Sequence, residues 1–154
     1  MAELVIGTVD VYVVRPLSAG WRVLVLQRST DTRCPGSWET VHGRLEPGEE
    51  PEQAAVREVR EEAGLEVQRL YNVTVQPFYL HRSHTVQVAV VFAAFVSEPA
   101  DVTVGAEHRG HEWMTVDGAL GRYTWPREHQ ALQEIVALLG TGDGGACEDV
   151  LRVI

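Results

Sequence analysis

Hydrophobic and polar residues alternate along several segments of the chain, and this alternation predicts a protein rich in β-strands. Valine and isoleucine are frequent in residues 4–14, and residues 21–27 (WRVLVLQ) alternate between apolar and polar. The intervening residues 15–20 include a proline and a glycine, so the two strands are expected to form an antiparallel hairpin. Further extended segments are predicted at residues 38–42, 67–80, 85–96 and 112–116.

Two segments have helical periodicity instead. Pro51 suits a first helical position, residues 52–63 repeat with the helical period, and Gly64 suits the residue that ends a helix. Residues 126–139 are predicted to form a second helix. Because the strands are mostly joined by hairpins, the order of elements predicts an α+β fold in which a mixed β-sheet lies between helices.

The chain length indicates one domain. The 154 residues, 45% of them hydrophobic, are enough for a single hydrophobic core. We expect this domain to span residues 1–140 and residues 141–154 to form a C-terminal tail. The glycine-rich start of the tail (GTGDGG) favours flexibility, whereas its end (CEDVLRVI) is compatible both with docking on the domain and with disorder.

The charge and cysteine content exclude several classes of function. A net charge of −9 disfavours binding to nucleic acid polymers or to anionic membranes, so a polyanionic substrate would need a local source of positive charge. A divalent cation is the obvious candidate. Cys34 and Cys147 form neither a disulfide framework nor a zinc cluster. With no signal-peptide pattern and no apolar stretch as long as a membrane span, the sequence favours a cytoplasmic protein.

The helix predicted after the glycine-containing loop carries an unusual acidic stripe. On a helical wheel, Glu61 and Glu62 fall within roughly sixty degrees of Glu58, on either side of it. A solvated surface face is the ordinary interpretation of such a stripe. Here the stripe borders the apolar face and follows a loop that holds Gly43 and Gly48. Clustered carboxylates are the hard oxygen ligands that magnesium and manganese prefer, so a metal site is the alternative.

The spacing of this segment resembles the signature that defines the Nudix hydrolase family. That signature is Gly, five residues, Glu, seven residues, Arg-Glu, an aliphatic residue, any residue, Glu-Glu, any residue, Gly and an aliphatic residue. The chain satisfies every specified position, with Gly43, Glu49, Arg57, Glu58, Val59, Glu61, Glu62, Gly64 and Leu65. The resemblance extends to the predicted elements and implies the Nudix α/β/α sandwich over residues 4–139.

The resemblance also implies roles for these residues. Glu58, Glu61 and Glu62 are expected to bind catalytic Mg²⁺, with Mn²⁺ as a second possibility, and one of them, most often Glu58 in the family, is expected to activate the water. The resemblance gives the backbone carbonyl of Gly43 to the same site. It further implies that Arg57 takes part in catalysis and pairs with Glu49 to hold the loop against the helix, where Gly64 is also structural.

Residues outside the signature resemble the branch of the family that acts on dATP and dihydroneopterin triphosphate. The similar features are Trp38 followed by Val-His-Gly, the stretch VFAAFV, and Glu107-His108 followed by Trp113. In that branch an acidic residue of the later Glu-His pair can approach the metals. Glu107 is therefore either a further metal ligand or an ordinary loop carboxylate.

Four residues are candidates for substrate binding. Arg28 and Trp38 lie just before the signature and are expected to line the cleft, and His42 adjoins the metal loop, where it contacts either a phosphate or a structural partner. Tyr79 lies near a strand–loop junction that could stack a base, although a core aromatic is the ordinary interpretation of such a residue.

Together these features predict hydrolysis of a nucleoside diphosphate linked to another group. The leading expectation is a nucleoside or pterin triphosphate that yields a monophosphate and pyrophosphate. One alternative is hydrolysis of ADP-ribose or a dinucleoside polyphosphate. A catalytically silent module that binds a nucleotide is the alternative from another class. The expected partner is a small nucleotide-like molecule, and both a monomer and a homodimer remain open.

Overall fold

The computed structural model describes residues 1–154, which form seven strands and four α-helices. A 3₁₀ turn at Gly145–Cys147 precedes the last helix. The strands are β1 (Glu3–Leu17), β2 (Gly20–Arg28), β3 (Trp38–Glu39), β4 (Val41–Arg44), β5 (Arg69–Leu80), β6 (Thr85–Phe95) and β7 (His108–Met114). The helices are α1 (Pro51–Ala63), α2 (Val116–Arg122), α3 (Pro126–Leu139) and α4 (Glu148–Leu151).

All seven strands belong to one mixed sheet. Its main path has the order β3-β2-β1-β6-β5, while β4 pairs with β1 and β7 pairs with β2. The pairing of β1 with β6 is parallel, and the other pairings are antiparallel. The hairpin predicted from the first two segments is present as β1 and β2.

The central strand β1 supplies side chains to both faces of the sheet. Val9, Val11 and Val13 belong to a core that includes the buried face of α1. Tyr12 and Val14 belong to a second core that includes residues of α2 and α3. This alternation is the period-two pattern of a strand that is covered on both faces. The expected α+β fold, a mixed sheet between helices, is therefore confirmed.

Helix α1 begins and ends at the residues expected from the sequence. Pro51 is its first residue, and Gly64 follows it with a φ of 69°, the left-handed conformation that glycine adopts without strain. The predicted second long helix matches α3 in its bounds. The boundaries of α1 fix which residues of the acidic stripe face the sheet.

The region after β6 differs from the expectation. The strand expected at residues 112–116 lies at His108–Met114, and its continuation turns into the short helix α2. The side chain of Thr115 starts α2 by accepting a hydrogen bond from the backbone N–H of Gly118 at 3.1 Å. This helix has seven residues, two of them glycines, and is therefore too short to show a helical period in the sequence.

The C-terminal tail packs along the edge strand β5. The N–H of Val153 donates to the carbonyl of Leu70 at 2.7 Å, and the N–H of Leu70 donates to the carbonyl of Ile154 at 3.1 Å. Of the two possibilities left open by the sequence, the structure shows docking, while the expected domain boundary at residue 140 stays a prediction. None of the helices combines the length and the hydropathy needed to cross a membrane.

Candidate functional site

A cleft of about 1190 Å³ lies between α1, the loop before β7 and the first turn of α3. Charged side chains dominate its walls, although the protein as a whole is acidic. These side chains are five arginines and six glutamates: Arg28, Arg33, Arg44, Arg57, Arg127, Glu39, Glu46, Glu58, Glu61, Glu62 and Glu107. The cleft therefore combines a carboxylate cluster with several cations that can contact phosphate oxygens.

The acidic side of helix α1 packs against β4. Glu58 and Glu62 are buried, with 8% and 6% of their surface exposed, whereas the Glu61 side chain is 56% exposed. Gly43 makes this approach possible, because a Cβ atom at that position would lie 2.0 Å from the Glu58 carboxyl carbon. A side chain at residue 43 and the observed position of Glu58 are therefore incompatible.

The carboxyl group of Glu62 lies in an environment that disfavours its charge. One oxygen accepts a hydrogen bond from the backbone N–H of His42 at 3.3 Å, and no arginine or histidine forms a salt bridge with it. Burial, followed by the charges of Glu58 and Glu39, raises the pKa of Glu62 to about 9. Burial also raises the pKa of Glu58, although Arg57 opposes this effect.

Arg57 connects the loop to the helix. Its Nε and Nη2 atoms donate to the two carboxylate oxygens of Glu49, each at 2.8 Å, and Nη2 also donates to the carbonyl of Arg44 at 2.9 Å. The hydrogen bonds from Arg57 lower the pKa of Glu49 to about 2. The expected pairing of Arg57 with Glu49 is thus present as a two-pronged contact.

The chemistry of the carboxylate cluster fits a divalent cation. As the side chains stand, no three acidic, histidine or cysteine side chains converge closely enough to hold a metal ion. Instead, Nη1 of Arg57 lies between Glu58 at 2.7 Å and Glu61 at 3.2 Å. The buried Glu62 carboxyl group has no cationic partner and lies near the charge of Glu58, so a divalent cation would stabilise its charged form.

A second polar network closes the other end of the cleft. Asp10 is completely buried on β1, and it accepts hydrogen bonds from Nδ1 of His42 and from Nη1 of Arg127. These two partners outweigh burial, which alone would raise the pKa of Asp10, so the pKa lies below its usual value. The Arg127 guanidinium lies over the ring of Phe78, 4.9 Å from its centroid. The side chain of Arg127 is thereby fixed at the mouth of the cleft.

Glu39 bonds to two side chains on the wall of the cleft that includes Glu107. One Glu39 oxygen accepts hydrogen bonds from Nη1 of Arg28 at 2.8 Å and from Nε2 of His108 at 2.9 Å. The backbone carbonyl of Glu107 accepts a further hydrogen bond from the N–H of Ser29 at 2.9 Å. These contacts hold the loop before β7 against the end of β2.

The structure brings together most of the residues singled out in the sequence. The residues that line the cleft are Arg28, His42, Gly43, Arg57, Glu58, Glu61, Glu62, Tyr79 and Glu107. Trp38, expected to line the cleft, lies instead in the core beside α2 and α3, with the Arg122 guanidinium 4.6 Å from its ring centroid. Consecutive residues of a strand face opposite sides, so its neighbour Glu39 faces the cleft.

Sequence reasoning overlooked three residues that line or support the cleft. Asp10 had a detectable signal, because it is a lone charge inside a run of buried valines. Glu39 lies next to Trp38, which was singled out in the sequence. Only the orientation of the strand determines which of the two side chains faces the cleft. Arg127 had no comparable signal, since an arginine in the first turn of a helix is usually exposed.

The chain is similar to proteins that contain a NUDIX domain, and the family model for that domain matches residues 7–135. An octanoyltransferase of Myxococcus xanthus is 38% identical over 131 residues, which cover 84% of this chain but only 35% of that relative. The CTP pyrophosphohydrolase of Escherichia coli is 29% identical over 119 residues, covering 76% of this chain and 84% of the relative. The crystal structure of a Caenorhabditis elegans Ap4A hydrolase binary complex is 24% identical, with a TM-score of 0.73 and coverage of 89% of this chain and 99% of that one.

Proposed function

The chain belongs to the NUDIX domain family and is a pyrophosphohydrolase, and from this premise we propose that it hydrolyses a nucleoside or pterin triphosphate to a monophosphate and pyrophosphate. The observation that carries the proposal is the buried, unpaired carboxylate of Glu62 beside Glu58, at the base of an arginine-lined cleft. A polyanionic phosphate chain and a divalent cation are complementary to this arrangement.

The residues that would hold Mg²⁺ or Mn²⁺ are Glu58, Glu61, Glu62, Glu107 and the carbonyl of Gly43. When bound, such a cation supplies charge neutralisation of the phosphate oxygens and lowers the pKa of water. The two bonds from Arg57 to Glu49 hold the loop in place beside these carboxylates.

The protein's own groups orient the phosphate chain. Arg28 is held by Glu39, and its side chain is 17% exposed at the cleft wall, where it can donate to phosphate oxygens. His42 is fixed through Asp10, and its second ring nitrogen, Nε2, makes no hydrogen bond within the protein. Because both side chains are held by buried carboxylates, little conformational entropy is lost when they contact the substrate.

A dinucleoside polyphosphate or ADP-ribose is the second candidate. The cleft volume of about 1190 Å³ exceeds the size needed for a mononucleotide, and a second nucleoside can occupy the remainder. The similarity to an Ap4A hydrolase shows the fold and is compatible with this candidate. A silent binding module is disfavoured because Glu58, Glu61 and Glu62 are all present and line the cleft.

A substrate panel tests the proposal. Release of pyrophosphate is to be measured with dNTPs and dihydroneopterin triphosphate, and release of monophosphates with ADP-ribose and diadenosine polyphosphates, each with and without Mg²⁺. Exchanging both Glu61 and Glu62 for Gln is expected to lower kcat by at least about a hundredfold. Glu52→Gln, on the exposed first turn of the same helix, is the matched control. Wild-type activity in the Glu61→Gln/Glu62→Gln variant would refute the metal-site assignment.

A further inference from the structure

We infer that Arg127 determines base specificity, selecting substrates whose heterocycle presents two adjacent hydrogen-bond acceptors, as guanine does with O6 and N7. The inference rests on the proposed function of the cleft and names the part of the nucleotide that Arg127 contacts. It places the base of the nucleotide at the end of the cleft that lies away from Glu58, Glu61 and Glu62. Three observations carry it: the anchoring of Arg127, its free donors, and the aromatic surface beneath it.

The first observation is that Arg127 is anchored before any ligand binds. Its Nη1 atom donates to Asp10, which is completely buried and which also accepts from His42. Arg127 is the second residue of α3, so the helix backbone fixes its Cα while the buried carboxylate fixes its guanidinium. Because the side chain is fixed at its Cα and at its guanidinium, its free N–H groups point in a constant direction into the cleft. A constant direction is required for these donors to distinguish one arrangement of acceptors from another.

The second observation is that donors of Arg127 remain available. An arginine carries five N–H groups in a planar fork, and the bond from Nη1 to Asp10 is the one side-chain hydrogen bond that Arg127 makes. Its Nε and Nη2 atoms make no hydrogen bond within the protein and are not shielded from solvent. The side chain lines the cleft and is 24% exposed. The free part of the fork is therefore accessible from the cleft.

The third observation is the aromatic surface next to the guanidinium. Phe78 lies beneath it at 4.9 Å, and Trp125, two residues before Arg127, lines the cleft with 39% of its surface exposed. Exposed aromatic rings beside a fixed fork suit a planar heterocycle that is stacked on one side and hydrogen-bonded at its edge.

The position of Arg127 and Phe78 relative to the carboxylate cluster suits a nucleotide that spans the cleft. His42 joins the two ends, because its ring donates to Asp10 and its backbone N–H donates to Glu62. Its ring also lies 6.3 Å from that of Phe78. A nucleotide with its base at Arg127 therefore extends past His42, and its phosphates reach the glutamates of α1.

The donor-only chemistry of the fork determines which base it accepts. Guanine offers the adjacent acceptors O6 and N7, and cytosine offers O2 and N3. Adenine places an amino donor beside N7, so one of the two arginine donors would face another donor. A bidentate contact of this kind discriminates by about 1–3 kcal/mol, which corresponds to about 5-fold to 150-fold in affinity.

Binding of monophosphates tests the inference independently of hydrolysis. Dissociation constants for GMP, CMP, AMP and 7-deaza-GMP are to be measured by calorimetry on the full chain. We expect GMP or CMP to bind at least about fivefold more tightly than AMP, and 7-deaza-GMP, which lacks the N7 acceptor, to bind more weakly than GMP. Arg127→Lys keeps a cation beside Asp10 but lacks the fork, and we expect it to abolish the discrimination. Arg122→Lys, outside the cleft, is the matched control.

The outcomes separate the inference from the proposed function. AMP binding as tightly as GMP and CMP, or a preference that survives in the Arg127→Lys variant, overturns the inference even if triphosphates are hydrolysed. A preference for GMP or CMP that depends on Arg127 supports the inference even if no triphosphate is hydrolysed, a result that would refute the proposed function. If Arg127→Lys does not fold, the comparison of GMP, 7-deaza-GMP and AMP on the wild-type protein decides.

Discussion

Replacing Gly43 with alanine is the most direct perturbation of the carboxylate cluster. The added Cβ would lie 2.0 Å from the carboxyl carbon of Glu58 and 2.2 Å from its Oε1 atom. Ordinary van der Waals contact begins at 3.4 Å, so the Glu58 carboxyl group must move by at least 3.4 − 2.0 = 1.4 Å. The backbone of residue 43 itself accepts alanine, because its φ is not in the left-handed region.

The movement of Glu58 determines the expected size of the effect. Glu58 is 8% exposed and is bonded to Nη1 of Arg57 at 2.7 Å, so it cannot turn into open solvent without breaking that contact. A displacement of about 1 Å at a reacting centre costs on the order of a hundredfold in rate. The clash is with the end of a side chain and not with backbone, so we expect a loss of stability of only about 1 kcal/mol, the lower end of the range for overpacking.

Steady-state kinetics and thermal unfolding, measured together, test this reasoning. We expect Gly43→Ala to lower kcat by about a hundredfold and to weaken activation by Mg²⁺, while the protein remains folded. Gly121→Ala is the control, because a Cβ there meets no atom within 4 Å. If Gly43→Ala keeps kcat within about threefold of the wild type, the close approach of Glu58 to residue 43 is not required for catalysis and the reasoning fails.

Two further predictions concern stability. Burial, foremost, raises the pKa of Glu128 to about 8, so between the usual value of 4.5 and that pKa the folded state holds a proton that the unfolded state lacks. Glu128 should therefore contribute a loss of stability of up to about 4 kcal/mol as the pH rises from 5 to 9, in addition to the loss that Glu62 causes over the same range. Glu128→Gln should remove the part that comes from Glu128. Chemical denaturation at both pH values tests this, and an equal loss of stability in the two proteins would contradict it. Removing Val153 and Ile154 deletes backbone hydrogen bonds of 2.7 and 3.1 Å to β5. Urea denaturation should show a loss of about 1–2 kcal/mol, and an unchanged midpoint would mean that the tail contributes nothing.

The parts of the fold that the sequence predicted are those governed by local chemistry. Pro51 marks the start of α1 because its fixed φ suits the first helical position, and Gly64 marks the end because glycine accepts the left-handed conformation there without strain. The spacing of Glu58 and Glu62 puts both side chains on one side of α1, and both are buried in the structure. These features depend on neighbours within a few turns, and no knowledge of the tertiary structure was needed.

The parts that were missed depend on contacts between distant segments. Asp10 and Arg127 are separated by 117 positions, and only the packing of α3 against the sheet brings them together. Trp38 and Glu39 occupy a strand of two residues, where no alternating pattern exists to show which side chain faces the cleft. In both cases the deciding information is the register and placement of elements, which a single sequence does not contain.

Two buried glutamates accept hydrogen bonds from the segment that leads into the carboxylate cluster, and only one of them lines the cleft. Glu128 accepts a hydrogen bond from the N–H of Thr40 at 2.6 Å, and Glu62 accepts one from the N–H of His42 at 3.3 Å. Burial raises the pKa of both, to about 8 and about 9. Glu128 is 1% exposed and does not line the cleft, so no solvent cation can reach it, and a proton is its means of neutralisation. Glu62 lines the cleft beside Glu58, so a cation can replace its proton. The same residue type is therefore closed off from solvent at residue 128 and open to the cleft at residue 62, and of the two we expect only Glu62 to bind a metal ion.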